Sequence, residues 1–427
     1  MKFPIDNVKA GMVLSCPIYG ENGRTIILNS GAELTDKIIN KLSDLDIKIV
    51  DIKLSPAQQF AYEADKGTNA TIPSSIMKDA KESIKKFDTN KIIENSKLIT
   101  SSILNSEELN YSLSEYKEIS DVFSHSVRVS LFATLLAKYY NNTLDSFVEP
   151  NTLDKCKINL EHIATAAMLH DIGKLCKNEK LLNKVLSTGS NISKVFPAIA
   201  KKDLNNYKDE YSSIYSYLLL NNVKMIEPDV KMMILLSNEL ENGKGPLELP
   251  ERYLNSRQSF VFGSKIIKLC SMYDEELNKM ISQNESLENI SSKLDYYAVN
   301  KIINNELEEL FIEHVPLYSK GVKVKLSNDK YAIVEESFHG RMFISKPLVR
   351  TIPDNELIDL RTELSITIKE ICKDEISFLE IVNKQINGME EELSIMQKNK
   401  VLNFIFLYFI KICYFSFHYI CFNRISK

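Results

Sequence analysis

Apolar positions change their spacing along the chain, and each change predicts a different kind of element. Residues 12–19 are strand-like and 24–29 supply a returning strand, and Asn22-Gly23 between them suits a tight hairpin turn because both residues tolerate positive φ. Thr35 is a good helix cap, residues 35–45 carry apolar residues at helical spacing, and residues 47–52 return to alternation. Residues 1–54 therefore read as a small α/β module. Residues 55–105 are polar and lysine-rich, with helical spacing at 76–87 and 92–104, and read as a helical connector with heptads too irregular for a coiled coil. Residues 106–313 keep helical periodicity with few strand signals. Short strand-like runs at 322–326, 330–336 and 342–351, with a fourth at 363–368, are separated by Ser327-Asn328-Asp329 and Phe338-His339-Gly340, which predicts a small β-rich module over 314–386. The fold class expected is mainly α, a helical domain between a small N-terminal α/β module and a small C-terminal β module.

The last stretch, 387–427, combines a polar helix-forming segment with an apolar, aromatic run at 401–422, from Val401 to Phe422. As a helix that run would span about 33 Å, enough for a bilayer core. Lys411 near its middle is costly there. Three readings stay open: a membrane anchor, an aromatic helix covering a hydrophobic surface, or a stretch appended by an accident of reading frame. Lysines and arginines on its two sides are too evenly spread to give an orientation.

Composition narrows the picture. The chain has 427 residues, room for two or three domains. Its net charge of -4 and pI near 6.0 give no reason to expect nucleic acid as a partner. Seven scattered cysteines form no CxxC pair, and their odd number argues against a disulfide framework. With no charged-then-apolar leader at the N-terminus, the expected location is the cytoplasm, with tethering through the tail under the anchor reading.

Candidate chemistry lies in two short segments. An apolar run ending in Ala166-Ala167-Met168-Leu169 delivers His170 and Asp171 side by side, and Gly173 suits the left-handed turn that ends helices. Asp121 and His125 stand four residues apart, so a helix presents both on one face. An imidazole and a carboxylate from each segment suit a divalent cation, and Lys174 adds a phosphate-seeking ammonium. Taken singly, each signal is weak, since an HD dipeptide beside an apolar run is mostly accidental. His162 on the same helix as His170 is assigned no role and reads as a core histidine.

In combination, His125-Ser126-x-Arg128-Val129 and Leu169-His170-Asp171-Ile172-Gly173-Lys174 resemble the HD superfamily of metal-dependent phosphohydrolases, and more narrowly its HD-GYP branch. That resemblance implies an all-helical HD-type domain at 106–313 and hydrolysis of cyclic di-GMP with two or three metal ions. It also implies small flanking modules and a homodimer formed through the connector. Further motifs of the branch are present in outline. Where the branch has a third histidine, this chain has Glu210; its paired histidines correspond to Ser237 and Asn238, and its last aspartate to Ser271, with Asp274 three residues on in a position usually structural. Gly243 and Gly245 remain in the loop that follows Glu239, without the tyrosine.

The resemblance thus implies metal ligands Asp121, His125, His170, Asp171 and Glu210 holding one iron or manganese ion at most. Asp171 and Lys174 are the catalytic candidates. Ser237, Asn238 and Ser271 are poor ligands beside imidazole or carboxylate, so a second ion is not expected and hydrolysis is expected to be weak or absent. Two functions follow from different classes. One is a depleted phosphodiesterase in cyclic-dinucleotide signalling, taking a cyclic dinucleotide or another phosphoester. The other is a catalytically silent protein that senses a ligand or binds a partner.

Overall fold

The computed structural model describes residues 2–5, 8, 10–20, 25–45, 47–53, 74–105, 122–147, 155–188, 196–256, 258–283, 285–352 and 354–372. Asn22-Gly23, Asp121 and the run from Val401 to Phe422 lie outside the described residues. By compactness the chain divides into two units, the first holding the N-terminal strands and helix and the second the later helices and the C-terminal sheet.

In the first unit β1 (Lys2–Pro4), β5 (Ile49–Lys53) and β2 (Val13–Leu14) form an antiparallel sheet in the order β1-β5-β2, and β3 (Ile18–Tyr19) pairs with β4 (Ile26–Leu28). The single strand expected over residues 12–19 is broken in two at Ser15-Cys16-Pro17, where the proline nitrogen has no proton for a ladder. Helix α1 (Asp36–Asp44) starts where the sequence predicts, with Thr35 Oγ1 accepting from Ile38 N at 3.4 Å. Leu14, Leu34, Leu42, Val50 and Ile52 close a small core under it.

The second unit is mainly helical. Helices α2 (Ser74–Lys85) and α3 (Thr89–Leu104) form the segment read as a connector, and their apolar faces are spent inside the chain. Ile84, Ile92, Ile99 and Ile103 are buried in the same core as Val129, Phe132 and Leu136 of α4 (Val122–Phe147). Helix α5 (Leu160–Leu169) is capped by Asn159 Oδ1, which accepts from Glu161 N and His162 N at 2.9 and 3.1 Å. Every residue from Ile163 to Leu169 is buried, as expected of a helix apolar all round. A 3-10 helix (Ile172–Lys177), α6 (Glu179–Thr188) and a 3-10 turn (Asp209–Tyr211) lead to α7 (Ser212–Leu220) and α8 (Pro228–Leu236). The short α9 (Glu251–Leu254) precedes α10 (Ser259–Gln283), which packs on α4 through Tyr273 set edge-on to Phe132, centroids 5.3 Å apart. Helices α11 (Ile290–Val299) and α12 (Asn305–His314) complete the helical part.

The C-terminal strands β6 (Lys323–Leu326), β7 (Tyr331–Glu336), β8 (Leu348–Ile352), β9 (Leu357–Asp359) and β10 (Ile368–Ile371) form one sheet in the order β10-β6-β7-β8-β9. Two expectations shift here. Residues 341–345 are a turn, because Gly340 at φ +84° lets its carbonyl accept from Phe343 N and Ile344 N. The strand expected at 363–368 starts only at Ile368, because Thr362 N and Glu363 N are held by Asp359 O in a turn. No helix among the described residues is long and apolar enough to cross a membrane.

Candidate metal centre

The centre is built where α4, the end of α5 and α10 meet. His125 and Arg128 stand one turn apart on α4, and Ser271 and Asp274 one turn apart on α10. Asp274 is fully buried. Its Oδ1 accepts from Arg128 Nε at 2.8 Å, and its Oδ2 accepts from Arg128 Nη2 at 2.9 Å and lies 2.7 Å from His125 Nδ1. A carboxylate accepts only, so His125 Nδ1 carries the proton in that contact and Nε2 is turned inward. There Nε2 lies 3.2 Å from Ser271 Oγ and 3.5 Å from Asp171 Oδ2.

His170 is oriented in the same way by a different acceptor. Its Nδ1 lies 2.7 Å from the carbonyl of Ala167 on its own helix, which can only accept, so Nε2 carries the lone pair. That Nε2 is buried with no hydrogen-bond partner, 3.5 Å from Asp171 Oδ2. One ligand atom from each of His125, His170 and Asp171 lies within 4.8 Å of the other two, all three residues buried. Two imidazole nitrogens and a carboxylate oxygen can hold a first-row divalent ion such as iron, manganese or zinc. The orphaned His170 Nε2 is what such an ion would satisfy.

The charges of His170 and Asp171 agree with that arrangement, whereas His125 leans toward its protonated form and would have to give up the Nε2 proton to a metal. Burial, helped by the charges of His125 and Lys174 and opposed by Asp171, brings the His170 imidazole down to about 4, so it is neutral and available as a ligand. Burial pushes the Asp171 carboxyl up, but His170, Lys174 and His125 around it prevail and hold it at about 2. Burial likewise opposes ionisation of Asp274, and His125 and Arg128 overcome it, leaving that carboxyl at about 2. For His125, burial pulls down, while the bond and charge of Asp274 carry the imidazole above its ordinary value. Lys174 Nζ sits 2.5 Å from Asp171 Oδ2 and 3.7 Å from Glu275 Oε1, and these carboxylates outweigh burial and keep its ammonium above the ordinary lysine range.

His125, His170, Asp171 and Lys174 are thus brought together. Glu210 is not. It lies on the exposed 3-10 turn with its carboxylate 3.9 Å from Lys208 Nζ, because the next residues, Tyr211, Ser212 and Ser213, are the ones that turn into the core. Ser271 does face the centre, bonded to His125. Ser237 and Asn238 have partners of their own: Ser237 Oγ donates to Ile234 O at 2.8 Å, and Asn238 Nδ2 to Ser212 Oγ at 3.0 Å.

Gly173 corrects a second expectation. It has no positive φ, since α5 does not end in a left-handed turn but passes through His170 and Asp171 into the 3-10 helix. Glycine is needed for space: a Cβ here would meet Ser212 O at 2.1 Å and Ser216 N at 2.5 Å. Ser216 Oγ staples the turn, accepting from Gly173 N and donating to His170 O, each at 2.7 Å. In the later loop Gly243 does need its backbone freedom, at φ +71°, and Gly245 lies against Glu239, whose Oε1 accepts from Leu247 N at 2.7 Å.

Motif reading did not pick out Glu275, Lys268 or Ser216 as parts of the centre. Burial lowers the Lys268 amine, although Glu275 and Asp171 lie close enough to pull the other way. Helical spacing on α10 gives the signal that was there, since Lys268, Ser271 and Glu275 recur at intervals of three and four around Asp274.

Residues 122–256 match the HD domain family. Among solved structures the chain is similar to Bd1817, a HDG"Y"P protein from Bdellovibrio bacteriovorus, at 12% identity over 73% of this chain and 97% of that one, with a TM-score of 0.37. No curated protein matches the chain.

Proposed function

From the HD domain at residues 122–256 we propose a metal-dependent phosphohydrolase type of site that takes one divalent ion per chain and a phosphoester ligand, a cyclic dinucleotide being the class the sequence motifs imply. One observation carries this reading: the buried group His125, His170 and Asp171, with His170 Nε2 lacking any hydrogen-bond partner. A bound ion would supply Lewis acidity and activation of water. The chain's own part is positional. Asp274 and Arg128 fix the His125 ring, the Ala167 carbonyl fixes the His170 ring, and Ser216 holds the turn that places Asp171.

Efficient hydrolysis is not part of the proposal. Two-metal chemistry needs a second set of imidazole or carboxylate ligands. Among the described residues no second group of that kind is present, and Ser237 and Asn238 are engaged elsewhere. This favours a depleted site, with weak or no turnover of cyclic di-GMP, and keeps a ligand-sensing role as the second reading. Manganese-supplemented protein incubated with cyclic di-GMP should release product well below about 1 per second, with a measurable binding signal. Turnover at or above that rate contradicts the depleted site; neither binding nor turnover contradicts the ligand class.

A further inference from the structure

Three nitrogens converge on one oxygen of the centre. Asp171 Oδ2 lies 3.5 Å from His125 Nε2, 3.5 Å from His170 Nε2 and 2.5 Å from Lys174 Nζ. The first two are the atoms that would join Oδ2 in holding a divalent ion. The third is a cation already in contact with it. The 3-10 geometry of Ile172–Lys177 causes this, since a residue three positions after Asp171 folds its side chain back over that carboxylate. Lys174 has a second acceptor waiting: Glu275 Oε1 of α10, 3.7 Å away, on a side chain 57% exposed. The lysine stem is flexible and its ammonium is a compact charge with three donors, so it can exchange one carboxylate for another with little rearrangement.

We propose that Lys174 is a displaceable internal cation: it holds Asp171 when no divalent ion is bound and is driven onto Glu275 when one binds. The inference rests on the metal-binding reading above and deepens it. Incoming metal competes with an ammonium for Asp171 Oδ2, in a site where Asp171 is only 3% exposed and charge pairs are weakly screened. Metal affinity is then set by a difference between two cations, and Glu275 makes the exchange easier by receiving the one that leaves.

The test is calorimetric titration of Mn²⁺ into the metal-free full chain and three variants, Lys174→Met, Glu275→Gln and the double variant. Removing the competitor should tighten binding at least tenfold in Lys174→Met. Removing the receiving carboxylate should weaken binding at least threefold while Lys174 is present, and by less than twofold once Lys174 is gone. This dependence separates exchange from a plain loss of negative charge near the metal, which would weaken both backgrounds alike. Affinity in Lys174→Met equal to or below that of the parent overturns the proposal, as does an equal effect of Glu275→Gln in both backgrounds. Those results leave the metal site itself standing; no binding in any of the proteins overturns both. Should Lys174→Met fail to fold, Lys174→Gln carries the same expectations.

Discussion

The segment around His125 and the segment around Asn238 bury polar groups in opposite ways. Around His125 the polar atoms face one another: two imidazoles, two carboxylates, a guanidinium and an ammonium share one buried centre, and His170 Nε2 is still left without a bond. Around Asn238 the bonds are mostly local: Ser237 returns to its own helix, Asn238 reaches Ser212, and Glu239 Oε1 accepts from the loop backbone at Leu247, its Oε2 buried without a hydrogen bond. The first segment therefore offers a cation three converging ligand atoms, and the second a single carboxylate oxygen. The difference also sets which substitutions hurt, because breaking a buried charge network costs far more than removing a neutral hydrogen bond.

The largest effect is expected at Asp274. Asp274→Ala leaves the buried Arg128 guanidinium without its carboxylate and frees the His125 ring, so the chain should lose roughly 3–5 kcal/mol in denaturant unfolding. A loss under about 1 kcal/mol would mean that the network is not what holds α4 to α10.

Glu239 tests the second segment through pH. Burial raises its carboxyl from 4.5 to about 7, against the backbone bonds of Leu247 and Leu249. The folded state then keeps a proton that the unfolded chain gives up, so the contribution of Glu239 to stability should fall as pH rises from about 4.5 and level off above about 7, by up to roughly 3 kcal/mol, while buried His170 acts in the opposite direction below about 6.5. The difference in stability between the parent and Glu239→Gln should trace that contribution across the pH range. The same slope in the variant would move the titration to another group.

Gly173→Ala should cost roughly 1–3 kcal/mol, since the added methyl meets the main chain of Ser212 and Ser216 and the turn carrying His170 and Asp171 must shift. Metal affinity should drop with it. The smallest effect is expected for Asn238→Ala, about 1 kcal/mol in stability with no change in metal content. Lost metal in that variant would merge the two segments into one site.

How much of this was legible depended on what each residue answers to. His125, His170 and Asp171 could be read because helical spacing and a contiguous dipeptide fix their directions almost without tertiary information. Glu210 could not, because its direction is set by Tyr211, Ser212 and Ser213 going inward at the start of α7. The space restriction at Gly173 depends on Ser212 and Ser216 of α7, remote in sequence from the turn they crowd. The flanking modules followed from alternation and turn residues, whereas the burial of α2 and α3 against α4 and α5 did not, since an amphipathic helix does not name the surface that covers it.

Metal content tests the central claim most directly. Protein purified without chelators and supplied with manganese or iron should hold one tightly bound divalent ion per chain by elemental analysis, and His170→Ala should hold none. Two or more ions per chain, or an ion retained in His170→Ala, would contradict a centre made by His125, His170 and Asp171.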